Sequence, residues 1–173
     1  MAGASVAQLV RASQQGDRDA FGQLYERFAA YVHAILLARL PPQEAPDLVQ
    51  DIFLSAFQRL RSLREPAAFA GWIAAIARNR AIDSFRHPAM PVSDDSADPP
   101  AETVAPDVRL DAARALQAIR ELPDAYRETL VLRLVEGLTG PEIAALTGLT
   151  PDSVRVNLHR GFKLLRERLG IAT

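Results

Sequence analysis

The chain has 173 residues, 49% of them hydrophobic, no cysteine and a formal net charge of −1. That is enough apolar material for one medium domain or two small helical ones, and the lack of cysteine excludes disulfides, thiolate metal sites and cysteine nucleophiles together. Met1 to Gln15 has no basic region followed by a long apolar run, and stretches such as Ala34–Ala38 are far too short to span a bilayer, so the expectation is a soluble, cytoplasmic protein without membrane insertion.

The first half reads as helix throughout. Val6, Leu9 and Val10 form a short amphipathic set that stops at Gly16. Asp17 can cap the next helix, whose apolar face is Phe21, Leu24, Tyr25, Phe28, Val32, Ile35 and Leu36, ended by Pro41-Pro42. A third helix, from about Pro46 to Leu63, buries Val49, Ile52, Phe53, Ala56, Phe57 and Leu60. A fourth, from about Ala67 to Arg86, buries Phe69, Ile73, Ile76, Ala77 and Phe85. Nothing alternates with the period of a strand.

The stretch after His87 is rich in Pro, Asp and Ser and has almost no apolar periodicity, so it cannot offset its own ordering entropy. It reads as a flexible acidic linker, 88–107, between a domain at 1–87 and a second at 108–173. Charge follows the same division: residues 1–87 carry net +2, residues 88–110 net −4, and residues 111–173 net +1.

The second domain opens with a helix from about Val108 to Glu121. A break at Leu122-Pro123-Asp124 precedes a helix from Ala125 to Glu136, stopped by Gly137. Thr139 and Glu142 form a capping box. Ala144, Gly148 and Val154 then carry the spacing of a helix-turn-helix: a small residue at the helix crossing, a glycine for the left-handed turn, and an apolar plug between the helices. Thr150 caps the second helix, Pro151 sits at its tolerant first position, and Gly170 closes it. Between Ser153 and Leu169 five basic residues face Glu167 alone, the electrostatic footprint of a DNA binder. Ser153, Arg155, Val156, His159 and Arg160 lie near the exposed N-terminal half of this helix, and Asn157 could pair with adenine if it faces the groove. The fold class expected is all-α: two small helical domains, the second a helix-turn-helix domain.

Two further constellations carry chemistry. In the fourth helix Trp72, Asn79, Asp83 and Arg86 share a face opposite Ile73, Ile76 and Phe85, and an aromatic beside Arg and Asn can stack an unpaired base. Taken alone, Trp72 reads more readily as a core or boundary residue. In the third helix Asp47, Gln50, Asp51 and Leu54 gather opposite the buried side, suiting a basic partner helix or simply forming a solvated acidic face. His33, His87 and His159 have no metal-site spacing, and no phosphate cradle, nucleophile elbow or paired-carboxylate motif appears. No catalytic residue, metal or cofactor is expected.

In order, Asp47-Leu48-Val49-Gln50-Asp51-Ile52-Phe53, then Phe69 and Trp72 leading into Ile76-Ala77-Arg78-Asn79, then a linker, then Val154-Arg155…Leu158-His159-Arg160, resemble a bacterial RNA polymerase sigma factor of the extracytoplasmic-function (ECF) group. The resemblance covers about Asp17–Arg86 and Asp111–Leu169. It implies docking of Asp47, Gln50, Asp51 and Leu54 on the clamp helices of core RNA polymerase. It implies capture of flipped minus-ten bases by Asn79 and Trp72, with Arg64–Phe69 as the base-pocket loop, Asp83 on the same face, and Arg78, Arg80 and Arg86 on backbone phosphates. It implies reading of the minus-thirty-five element by the helix capped at Thr150, through Ser153, Arg155, Asn157, His159 and Arg160, with Lys163 on phosphate. A probable anti-sigma factor follows from the same likeness. Val156, Asn157 and Gly161 depart from the frequent family residues and would mark a promoter preference of the chain's own.

Two other readings fit parts of this pattern. A conventional helix-turn-helix regulator binding duplex DNA as a dimer would need a ligand module or dimer interface in the first domain. A sigma-like decoy for an anti-sigma factor would show a ruined docking helix or base pocket, whereas both look intact.

Overall fold

The computed structural model describes residues 3–86 and 106–171. Among them are eight α-helices, two short 3₁₀ turns and no strand. The expected linker, with His87 before it, lies outside the described residues up to 105.

Helix α1 (Val6–Gln14) is opened by a capping box between Ser5 and Gln8. Helix α2 (Arg18–Leu37) is capped by the Asp17 carboxylate, which accepts from the Ala20 amide. It ends three residues before Leu40, because a residue ahead of the Pro41-Pro42 pair is disfavoured in helical conformation; Ala38 to Leu40 complete the bend as turns onto Ala34 and Leu36 carbonyls. Helix α3 (Ala45–Arg59) passes into a 3₁₀ turn at Leu60–Ser62, and another 3₁₀ turn at Pro66–Ala68 leads into α4 (Phe69–Arg86). The four helices enclose a core of Leu24, Phe28, Val32, Ile35, Ile52, Phe69 and Ile73, all buried.

Three residues expected in this core lie outside it: Tyr25 is 38% exposed, Phe57 40% and Phe85 64%. Tyr25 and Phe57 stand at the edges of apolar arcs too wide for one interface, and Phe85 sits in the last turn of α4, beyond the helices that would cover it.

In the second half, α5 (Pro106–Arg120) begins inside the expected linker, with proline at a helix start where its missing N–H is harmless. Helices α6 (Asp124–Leu134), α7 (Gly140–Thr147) and α8 (Pro151–Leu169) complete the bundle. Ile119, Leu130, Leu132, Ile143 and Val154 are fully buried there. The halves pack on one another: α6 lies against α2, and α7 touches both α2 and α4.

Candidate nucleic-acid and docking interfaces

The spacing of Asp47, Gln50, Asp51 and Leu54 along α3 places all four on one exposed face, Leu54 at 59% exposure. Asp47 lies in the first turn, where the helix dipole favours a carboxylate. Beside this face an open groove of about 570 Å³ runs between α2 and α3, lined by Phe21, Tyr25, Gln50, Phe53, Leu54 and Phe57. Its aromatic walls are held edge to face, Phe21 on Phe57 at 4.9 Å and Tyr25 on Phe53 at 4.7 Å. Helical periodicity assigns all four of these rings to the core; the breadth of the apolar arc is the signal that they also line a groove.

The loop before α4 is tied to α1. Gln14 Nε2 donates to the carbonyls of Leu60 (3.0 Å) and Leu63 (2.9 Å), and the Glu65 carboxylate accepts from the Ala67 amide. Gln14 is a positioning residue that no motif revealed. Arg64 projects from this loop into solvent. Phe69 does not: it is completely buried, its ring 5.1 Å from Phe28 and 5.9 Å from Trp72. The expectation of a DNA contact at Phe69 is corrected, since Phe69, Ile73 and Ile76 form one apolar stripe and Phe69 can act only by orienting Trp72. Trp72 is half-buried, while Asn79, Arg80, Asp83 and Arg86 are exposed. Arg80 approaches Asp51 at 3.8 Å.

The helix-turn-helix is built by local chemistry. The Glu142 carboxylate accepts from both the Thr139 amide and hydroxyl at 2.7 Å, and these bonds hold its carboxyl below the usual range. Gly148 takes the left-handed conformation at φ 76°, Ala144 is buried at the crossing and Val154 fills the angle. The Thr150 hydroxyl accepts from the Ser153 amide at 3.1 Å and donates to the Ser153 hydroxyl at 2.8 Å.

Arg155, Val156, His159 and Arg160 line one shallow concavity on α8, with Lys163 exposed further along. Arg155 contacts Asp152 at 3.1 Å, but with the side chains 78% and 87% exposed that pair is worth little and a phosphate can displace it. Two residues depart from expectation. Asn157 does not join this row; two positions from both Arg155 and His159, it points round the helix into the cleft between the halves. Gly161 is buried, and a Cβ there would meet Leu130 side-chain atoms at 3.0 to 3.3 Å. It sets the spacing of α8 on α6 and reads no base.

Arg78 also departs from its expected place on a phosphate. It forks onto Glu128 of α6, Nε to Oε1 at 2.9 Å and Nη2 to Oε2 at 2.8 Å, and reaches the Tyr31 hydroxyl at 3.4 Å. Arg39 binds the same carboxylate at 2.8 Å. Burial alone would disfavour the charge on Glu128, yet the bonds and charge of Arg78, then of Arg39, hold its carboxyl below the usual range. Glu128 in turn raises the affinity of Arg78 for its proton, and Tyr31 is pushed up by burial and by the Glu128 charge. Nearby, His33 Nδ1 lies 2.7 Å from Glu136, and Arg120 donates to the Leu40 carbonyl at 2.8 Å. Arg78 apart, none of these long-range partners belongs to a motif.

An all-α chain with a capped helix-turn-helix and a basic recognition helix is a DNA-binding protein. Residues 24–89 match Sigma-70 region 2, and residues 112–165 match Sigma-70, region 4. The chain is 39% identical over 166 residues to the RNA polymerase sigma factor CarQ of Myxococcus xanthus, covering 91% of this chain and 93% of that one. It is 31% identical to the ECF RNA polymerase sigma factor ShbA of Streptomyces griseus, with 93% of each covered. In structure it is similar to CnrH, solved in complex with the cytosolic domain of CnrY, at TM-score 0.62 and 26% identity, covering 97% of this chain and 99% of that one. The chain belongs to the ECF group of RNA polymerase sigma factors, DNA-binding factors of transcription initiation. No described helix is long and apolar enough to cross a membrane.

Proposed function

We propose that this sigma factor seats core RNA polymerase on the exposed α3 face, with Asp47, Gln50 and Asp51 meeting basic groups and Leu54 entering an apolar site. The observation that carries this reading is the exposed Leu54 beside the aromatic groove of α2 and α3. An isolated exposed leucine means little, but one at the rim of an apolar groove, with Asp47 and Asp51 on the same helix face and Arg18 on the groove wall, has the anatomy of an interface core with a polar rim. Burying Leu54 would contribute about 2 kcal/mol.

Docked in this way, Arg64, Trp72, Asn79, Arg80, Asp83 and Arg86 meet the melted minus-ten strand. Catalysis of opening is then binding of unpaired DNA: pocket contacts offset the few kcal/mol that unstacking a base costs. Arg155, His159, Arg160 and Lys163 engage the upstream duplex, with Thr150 and Ser153 fixing the start of the helix. Two weak grips on one chain gain affinity through effective concentration. The likeness to CnrH, solved with the cytosolic domain of CnrY, supports a protein partner that withholds the factor from polymerase, an anti-sigma factor. Against the decoy reading stand the intact, exposed side chains of α3 and α4.

The test is Asn79→Ala in reconstituted holoenzyme. Promoter opening, followed by permanganate reactivity of unpaired thymines, should be lost while core binding is retained. Loss of core binding with Asn79→Ala would overturn the assignment of that face.

A further inference from the structure

We propose that Val156 is a methyl reader: on the bound duplex it seats the 5-methyl group of one upstream pyrimidine, thymine in unmodified DNA, and rejects cytosine at that step. This deepens, and rests on, the reading of α8 as the helix that engages the upstream element. Among the valine, leucine and phenylalanine side chains of α8, Val156 alone is exposed. Val154, Gly161 and Leu165 are buried, and Leu158 packs beside them. Val156 stands two residues on from Val154, roughly 200° round the helix, and so faces away from that inner stripe. A β-branched residue at such a position is a weaker helix former than alanine, glutamine or arginine, so the fold itself gives no reason for it.

Its neighbours give one. Arg155, His159 and Arg160 line the same shallow concavity as Val156, about 390 Å³ in volume, and His159 and Arg160 share its helix face at three and four residues' spacing. In the major groove, base edges offer donors, acceptors and, on thymine, one apolar group, the 5-methyl. Val156 can neither donate nor accept a hydrogen bond, so that methyl is its one favourable partner there. Facing cytosine, it would dehydrate the N4 amino group and give no hydrogen bond in return. Attraction to one base and desolvation against the other together make specificity. A helical valine holds one χ1 rotamer, so seating it costs little side-chain entropy.

The test uses holoenzyme made with the full chain. A pool of duplex promoters with a randomised upstream segment is selected for binding. Each thymine of the recovered upstream element is then replaced singly by uracil, by cytosine and by 5-methylcytosine. Competition binding compares wild type with Val156→Ser, Arg155→Ala and Arg160→Ala. For wild type, uracil at one thymine should weaken binding about fivefold, the worth of one buried methyl. Cytosine there should weaken it more than uracil does, and 5-methylcytosine should bind better than cytosine by the methyl's own factor. Val156→Ser should bind methylated and unmethylated forms alike. Because the uracil arm alters only the DNA, it reads the wild-type protein directly. Uracil tolerated at every upstream thymine, or weakening wild type and Val156→Ser equally, overturns the methyl reader, while Arg155→Ala and Arg160→Ala still weaken binding. Failure of the underlying reading looks different: selection returns no upstream element, or both arginine variants bind it as wild type does.

Discussion

Arg80 of α4 lies 3.8 Å from Asp51 of α3, so the face proposed to seat polymerase and the face proposed to hold the melted strand share an edge. Both side chains are about half exposed, and an ion pair of that kind contributes well under about 1 kcal/mol. Its significance is positional. A partner seated on Asp47, Asp51 and Leu54 would therefore lie next to Arg80, on α4 beside the exposed Asn79 and Asp83.

Leu54→Asp separates docking from folding. Leu54 is 59% exposed, so the change should alter unfolding free energy by no more than about 0.5 kcal/mol. Affinity for core polymerase should fall at least tenfold, about 1.4 kcal/mol, read by competition binding alongside urea unfolding. A stability loss in proportion to the affinity loss would show that Leu54 packs within the fold instead.

Arg155→Ala and Arg160→Ala should each weaken binding to duplex carrying the upstream element and lower the salt dependence of log K by about one unit. Filter binding across a salt series measures both. Asn157→Ala should have a smaller effect on the free chain, since Asn157 faces the cleft with Arg78 and Glu128.

Two glycines should respond for different reasons. Gly148→Ala forces a side chain onto φ 76° in open space, a strain of about 1–2 kcal/mol. Gly161→Ala keeps helical geometry and gains about 1 kcal/mol of helix propensity, but its methyl meets buried Leu130 at 3.0 Å, an overpacking cost of about 1–3 kcal/mol. The net loss expected for Gly161→Ala is about 1 kcal/mol, and each kcal/mol lowers Tm by roughly 2–4 °C in a chain of this size. Thermal unfolding of both variants checks the order, Gly148→Ala being the more damaging.

Acid should loosen the contact between the halves. Because the Glu128 carboxyl is held below its ordinary value by Arg78 and Arg39, beside the Tyr31 hydroxyl, its contribution is complete above the ordinary carboxylate range. It is lost as pH falls through the lower value it has in the folded chain. Between about pH 5 and 3, wild type should lose more stability than Glu128→Gln, measured by urea unfolding at each pH. Parallel acid limbs would contradict this account of Glu128.

What the sequence made legible was what local chemistry decides. Asp17, Thr139 and Thr150 cap their helices from a few residues away, and Gly148 and Gly170 end theirs in the left-handed conformation that no other common residue adopts cheaply. The exposed α3 face followed from helical spacing alone. What was illegible depended on partners far along the chain. Glu128 is 50 residues from Arg78, and nothing in its own surroundings announces that it is the counter-ion. Gly161 reads as a departure within a recognition helix until Leu130 is seen against it. Phe69 carries a motif position and a core position at once, and burial decides between them. Tyr25 and Phe57 fail in the opposite sense, fitting an apolar arc yet lining a groove.

This chain starts transcription by carrying core polymerase to promoters. Run-off transcription with purified core polymerase on a promoter library tests it most directly. Transcripts should arise from a defined subset of templates, require the chain and vanish with Leu54→Asp or Asn79→Ala. Neither core binding nor chain-dependent transcripts from any template would contradict it.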